Sequence, residues 1–85
     1  MRYRLLIAID VFEFVQALPR RDQQLLWRRF REITEFPRRF ADYSEPDVTQ
    51  RLLDVHLHGG FAIYYWEDAA DRHLKILQVS RADGG

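Results

Sequence analysis

Cysteine is absent from the 85 residues. This excludes a disulfide framework, a thiolate metal site and a cysteine nucleophile, and it fits a reducing compartment. Proline occurs three times and glycine four times, so the chain is neither linker-rich nor low in complexity. The longest aliphatic run is Leu5–Ile9, far short of the roughly 20 residues a membrane-spanning helix needs. Arg2 and Arg4 stand near the start, but no long apolar stretch or small-residue cleavage site follows them. A secretory signal is therefore not expected. There is no glycine-rich phosphate loop and no G-x-S-x-G, and Ser44 and Ser80 lack the context of a nucleophile. Lysine occurs once, at position 75, and the net charge is zero. These gaps lead us to expect a cytoplasmic protein with no membrane partner.

What is present reads as one domain spanning residues 1–85, with 47% hydrophobic and 14% aromatic residues. A chain of this length has one modest core. The charge is unevenly spread. Between Arg20 and Arg39 seven arginines face three acidic residues (Asp22, Glu32 and Glu35), a local excess of four. Planar guanidinium forks suit phosphate and carboxylate. The segment is either a solvated helix face or a contact surface for nucleic acid or an acidic partner.

The opening residues alternate, with Tyr3, Leu5, Ile7 and Ile9 against Arg2 and Arg4, which predicts a first strand. Leu6 and Ala8 make its second half apolar on both faces, as in an interior strand. Asp10, three residues before Glu13, reads as an N-cap. Val11, Phe14, Val15 and Leu18 then share one helical arc, which Pro19 closes. A second amphipathic helix is predicted from about Asp22 to Phe36. Leu25, Leu26, Phe30, Ile33 and Phe36 form its apolar arc, Trp27 its edge, and Arg29 a charged intruder. Residues 37–50 read as a loop. Strands follow at about Leu52–Leu57 and Phe61–Trp66, with His58-Gly59-Gly60 at the hairpin, and a last strand runs from His73 to Ser80. The expected fold class is α+β in the order β-α-α-β-β-β, a small, mainly antiparallel twisted sheet with a helical hairpin on one face.

Alternation along the third of these segments sets the candidate site. If Leu53, Val55 and Leu57 face the helices, then Asp54, His56 and His58 share the other face, about 7 Å apart. Such a row can be a metal chelate with His73 as third imidazole, a set of general acid–base groups near neutral pH, or the polar side of an ordinary strand. The spacing is poor for a closed metal site, so neither a metal nor another cofactor is expected. The aromatic run Phe61, Tyr64, Tyr65 and Trp66 alternates as a buried strand would, which favours core over a base-stacking platform.

The helical hairpin ending in "REITEFP", the loop after it, then "RLLDVHLHGGFAIYYW" and "LKILQVSRAD" resemble the RelE/ParE superfamily of toxins from bacterial type II toxin–antitoxin modules. The likeness covers nearly the whole chain. It implies a small twisted sheet with the hairpin on one face, and an antitoxin that wraps around the toxin. RNA-cutting members carry basic residues, often with histidine, on the open face of the last three strands, and cut messenger RNA in the ribosomal A site without metal. Other members poison DNA gyrase. Carried over by position, the outward basic residues of the second strand of that sheet fall on Asp54 and His56, with His58 next. The arginine early in the third falls on Ala62, and the basic group closing the last strand falls at or beside Arg81. The resemblance thus implies a metal-independent endoribonuclease acting on mRNA at the ribosome. His56 and His58 are its acid–base groups, and Arg81 or Arg51 stabilises charge on the phosphate. The alternative is a non-nuclease binding module of the same fold, either a gyrase poison or a member that only binds its antitoxin. In either case Trp27, Arg28 and Arg31 are the expected macromolecular contacts, because tryptophan and arginine dominate interface hot spots.

Overall fold

The computed structural model of the chain describes residues 3–82. Strand β1 (Arg4–Ile7) leads into helices α1 (Ile9–Gln16) and α2 (Arg20–Glu35), a one-turn helix α3 (Pro37–Phe40), and strands β2 (Tyr43–Pro46), β3 (Leu52–His58), β4 (Phe61–Asp68) and β5 (His73–Arg81). The five strands form one sheet in the order β1-β5-β4-β3-β2. Strand β1 pairs parallel to β5, and every other pairing is antiparallel. None of the helices among the described residues is long and apolar enough to cross a membrane.

The α1–α2 hairpin covers one face of the sheet. Leu26, Phe30 and Ile33, spaced at helical intervals on α2, are fully buried against Ile63, Tyr65, Leu74 and Ile76, and Val11 and Val15 of α1 join the same cluster. Arg29 falls inside the apolar arc of α2. The structure resolves that intrusion by pairing its guanidinium with Glu32 on the helix and with His56 on β3. Pro19 stands at the N-cap of α2, which begins two residues earlier than the sequence pattern indicates. At Pro37 the chain leaves α2 and restarts as α3, and the buried Tyr65 hydroxyl donates to the Pro37 carbonyl at 2.5 Å, tying the restart to the sheet.

Several expectations are corrected. Strand β1 lies at the sheet edge rather than inside it, leaving Leu6 38% exposed. The cap of α1 is Ala8, so Asp10 sits within the first turn, where its charge favours the positive end of the helix dipole. The presumed loop after Pro37 holds α3 and β2, adding an edge strand whose residues are all exposed. Phe36 is exposed, and Phe40 packs in its place against the cluster. Opposite the helices, the sheet keeps an open face.

The faces of β3 are inverted relative to the sequence expectation. Directly paired residues share a face, and Asp54 pairs with Tyr65, His56 with Ile63 and His58 with Phe61. Since Tyr65, Ile63 and Phe61 are in the helix-side cluster, the acidic and histidine residues face the helices. Val55 and Leu57 face the open side, where Val55 is buried between Tyr43 and Tyr64 and Leu57 is 47% exposed. The Gly59-Gly60 turn has both residues at positive φ, +59° and +85°, the backbone a two-residue hairpin turn requires. It sets this register.

Candidate functional site

His56 is 7% exposed and held from three sides. Its Nδ1 lies 2.9 Å from Asp42 Oδ2, and its Nε2 lies 2.7 Å from Nη1 of Arg29. The Phe40 ring meets it edge-on at 5.3 Å, and the Arg29 guanidinium lies over that same ring at 4.7 Å. Asp42 also accepts the Leu57 amide at 2.8 Å, and that bond is the main reason its carboxyl titrates below the usual carboxylate range. His58 stacks on His56, with ring centroids 5.7 Å apart and planes 14° from parallel. Unlike His56, it reaches a groove.

That groove, about 450 Å³ in volume, runs between α2 and the end of β3. Arg21, Arg28 and Arg29 line it together with Gln24, Glu32 and His58, and Leu25 is its apolar contribution. Partial burial is the chief cause of a lowered His58 pKa, with the positive charge of Arg29 and then His56 adding to it, while Glu32 opposes. The imidazole is therefore biased to its neutral form, able to take a proton near neutral pH. Guanidiniums alongside can bind an oxyanion.

The fold brings His56, His58 and Arg28 to this one place, and it separates Arg51 and Arg81 from them. Arg51, just ahead of β3, lies on the other side of the sheet, paired with Asp47 at 3.1 Å and 4.6 Å over the Trp66 ring. Lys75 reaches the same ring at 5.1 Å and pairs with Asp68 at 3.2 Å, so Arg51 and Lys75 are each already matched by a carboxylate. Arg81 lies over Phe61 on the helix side. Phe61 pairs with both His58 and Arg81, putting Arg81 two strand spacings, about 10 Å, from His58. Ala62 is buried and faces the open side. His73 does not approach His56: it lies beside Asp68 and Asp71, where potential ligand atoms come within 4.8 Å of one another, but Lys75 already stands at the Asp68 carboxylate.

Of the expected contact residues, Trp27 is half-buried, tilted against Phe12 at 6.0 Å and edge-on to Phe30 at 5.4 Å. Arg31 is exposed and lines a shallow cleft with Tyr3, Leu5, Thr34 and Glu35. Sequence reasoning missed Asp42, Arg29 and Gln24 as site components. Arg29 carried a signal, a charge inside an apolar arc; Asp42, in a segment read as loop, carried none.

An α+β domain with a helical hairpin on one face of a five-stranded mixed sheet is the RelE fold, and the comparison with solved structures bears this out across the chain. The structure is similar to a chain of the archaeal RelE–RelB complex from Pyrococcus horikoshii OT3, with a TM-score of 0.79, 20% sequence identity and 100% of both chains covered. It is also similar to a chain of the RelBE2 toxin–antitoxin complex from Mycobacterium tuberculosis, with a TM-score of 0.77 and 17% identity over 95% of this chain and 99% of that one. No protein-family profile and no curated protein sequence matches it.

Proposed function

We propose that this chain is the toxin of a type II toxin–antitoxin pair, neutralised by a cognate antitoxin, and that it inhibits translation by cutting mRNA at the ribosome. The observation that carries the reading is the end-to-end likeness of fold to chains from two toxin–antitoxin complexes. The groove chemistry supports the cutting step. In it, neutral His58 takes the proton of a ribose 2′-OH. The 2′-oxygen attacks the adjacent phosphorus, the 5′-oxygen leaves and takes a proton from water, and a 2′,3′-cyclic phosphate remains. Guanidinium groups at Arg28 and Arg29 stabilise the added charge on the phosphoryl oxygens, while Asp42 and Arg29 orient His56 beneath His58.

A second reading is favoured by the separation of Arg51 and Arg81 from the histidines and by the uncharged Ala62. In it, the chain acts by binding alone, as a gyrase poison or as a partner of its antitoxin. Induced expression with pulse labelling of protein and DNA synthesis decides between them. Loss of translation that His58→Ala abolishes supports cutting. Loss of replication, or toxicity that His58→Ala leaves intact, rejects it.

A further inference from the structure

Two imidazoles are stacked at the margin between α2 and β3, and a guanidinium pins one of them. Nη1 of Arg29 donates to Nε2 of His56 at 2.7 Å, while Nδ1 of that ring lies 2.9 Å from Asp42 Oδ2. Arginine offers donors only, so the contact requires a lone pair on Nε2. A proton there would set N–H against N–H and two positive charges within hydrogen-bond distance. Protonated His56 and the Arg29 contact therefore exclude each other. His58 lies nearly parallel to His56 with centroids 5.7 Å apart, so a charge on either ring is felt by its neighbour.

The groups around the pair divide by sign and by freedom to move. Arg21, Arg28 and Arg29 of α2 oppose charge on the imidazoles, and Arg81 of β5, over Phe61, adds to them from farther off. Asp42 and Glu32 favour it. Asp42 is fastened to the Leu57 amide at 2.8 Å and accepts from Nδ1 whether or not Nε2 is charged. Glu32 is movable: its side chain is 46% exposed, and it lines the groove beside His58 while bonded to Nε of Arg29 at 2.8 Å. Asp54 shares the face of the pair but accepts from the Ser44 hydroxyl at 3.3 Å. From β4, Phe61 and Ile63 stand opposite without charge, and burial keeps the Tyr65 hydroxyl protonated. Phe40 of α3 is apolar.

We propose that the stacked His56–His58 pair is a proton-sensitive latch, which in mild acid passes the Glu32 carboxylate from Arg29 to His58, expels Arg29 from His56 and frees this corner of α2 from β3. The first proton falls on His58, the ring that reaches the groove, and draws Glu32 to it. Arg29 then keeps only His56 and the Phe40 face, and a second proton on His56 removes the former. Burial, then the charges of Arg29 and His56, lower the His58 pKa in the latched arrangement, with Glu32 opposing. The latched ring thus binds a proton less readily than a free imidazole, whose value is about 6.5. Above that pH the latch holds in full. As pH falls below it the released arrangement gains, until the latched ring is itself charged. This window lies above that of Asp42 and Asp47, whose carboxyls titrate low. Histidine clusters charging near pH 5–6 are a general means of biasing a packed contact. The latch rests on this geometry and not on the toxin reading.

The test is NMR of the ¹⁵N-labelled protein between pH 8 and pH 5. Imidazole nitrogen shifts report tautomer and charge at His56 and His58, the Nε–H resonance of Arg29 reports its bond to Glu32, and the Leu57 amide reports the Asp42 side. At pH 8 the His56 proton is expected on Nδ1. On acidification the Arg29 resonance should move with the midpoint of His58, while the Leu57 amide holds still. Arg29→Met places an apolar side chain within the apolar arc of α2 and should tighten proton binding at His58 by roughly threefold to tenfold, raising its midpoint. Glu32→Gln should lower that midpoint, since the charged ring loses its carboxylate. An Arg29 resonance that stays in place while the imidazoles titrate overturns the latch, and this readout in the parent decides even if a variant fails to fold. Absence of imidazole titration above pH 5 overturns it too, as does an unchanged His58 midpoint in either folded variant.

Discussion

Nε2 of His56 lies 2.7 Å from Nη1 of Arg29, and this contact fixes the imidazole's tautomer. A guanidinium has only donors to offer, so Nε2 accepts and the ring proton sits on Nδ1, where it is donated to Asp42. The chain of contacts runs from Glu32 through Arg29 and His56 to Asp42 and the Leu57 amide. It fastens α2, the residue ahead of β2, and β3 to one another, and His58 stacks on its middle member. Replacing Asp42 with alanine leaves the buried Nδ1–H without its acceptor. Because the Asp42 side chain is 49% exposed, water can take part of its place, and the expected loss is about 1 kcal/mol, the low end for an unpaired buried donor. Urea unfolding of Asp42→Ala and Asp42→Asn measures it, the amide retaining an acceptor and losing less. Equal midpoints in both variants and parent would mean the network does not hold β3.

Acid should weaken the fold in a narrow window. Asp42 titrates low chiefly because of the Leu57 amide, and Asp47 is brought down to about 2 chiefly by the Thr49 hydroxyl, with the Thr49 and Arg51 amides helping. A carboxyl whose folded pKa is depressed contributes stability above its unfolded value, about 3.9, and loses it as pH falls through the folded value. The window therefore runs from about pH 4 down to about pH 2. Urea midpoints at pH 5, 4, 3 and 2.5 should fall steeply in the parent and less in Asp42→Asn/Asp47→Asn. Parallel curves would assign the acid sensitivity to other carboxylates.

A side chain at Gly59 would press on Leu25. Its φ of +59° is strained for most residues, and a Cβ there would sit 2.9 Å from Cδ2 of Leu25. Leu25 belongs to α2, so the turn and the helix meet at this point. Gly59→Ala should cost roughly 1–3 kcal/mol through overpacking and backbone strain. Gly60 has no atom within 4 Å of such a Cβ, so Gly60→Ala carries only the backbone penalty, and its thermal midpoint should lie between that of Gly59→Ala and the parent's. The reverse order would mean that Leu25 yields.

Phe30 tests the core, and also how far the sequence could be read. It is fully buried, and truncation to alanine should cost roughly 3–5 kcal/mol, much of a small domain's stability, readable as a loss of the cooperative melt near the parent's midpoint. The position of Phe30 was legible because Leu26, Phe30 and Ile33 repeat at helical spacing over one long helix. Strand β2 was not legible: Tyr43–Pro46 is four exposed residues with a proline, and its pairing to β3 comes from tertiary context rather than from any periodicity. The histidine face was misread because polar alternation was taken to mean solvent. Arg29, Glu32 and Asp42 supply a polar margin to the helix–sheet interface, so His56 can be buried and paired there. The deciding clue was nearby. A two-residue turn pairs His58 with Phe61, and Phe61, Ile63 and Tyr65 form the face of β4 that joins the core, with Ala62, Tyr64 and Trp66 on the other, so the histidines share the core-facing side.

If the proposed toxin reading holds, the outer side of α2 is where its antitoxin is expected to be felt. Trp27 and Arg31 are one turn apart, so they share a side of the helix. Trp27 packs on Phe12, itself 43% exposed, while Arg31 is free to reach outward beside Tyr3 and Glu35. An apolar patch beside an exposed guanidinium is the composition of an interface hot spot. Trp27→Ala would confuse binding with stability, because the indole also touches the buried Phe30. Arg31→Glu avoids that difficulty, since an exposed helix residue contributes little to packing and should leave the melting temperature within a degree or two. If an antitoxin contacts this side, the charge reversal should weaken the complex roughly 10- to 100-fold, mainly through faster dissociation. Toxicity should then persist when the antitoxin is co-expressed. Surface plasmon resonance of the variant against the antitoxin of the proposed pair measures this, with Arg39→Glu as a comparison at a separate surface site, where Arg39 lies over Phe36. Unchanged dissociation with Arg31→Glu, or a larger effect from Arg39→Glu, would move the interface away from this side of α2.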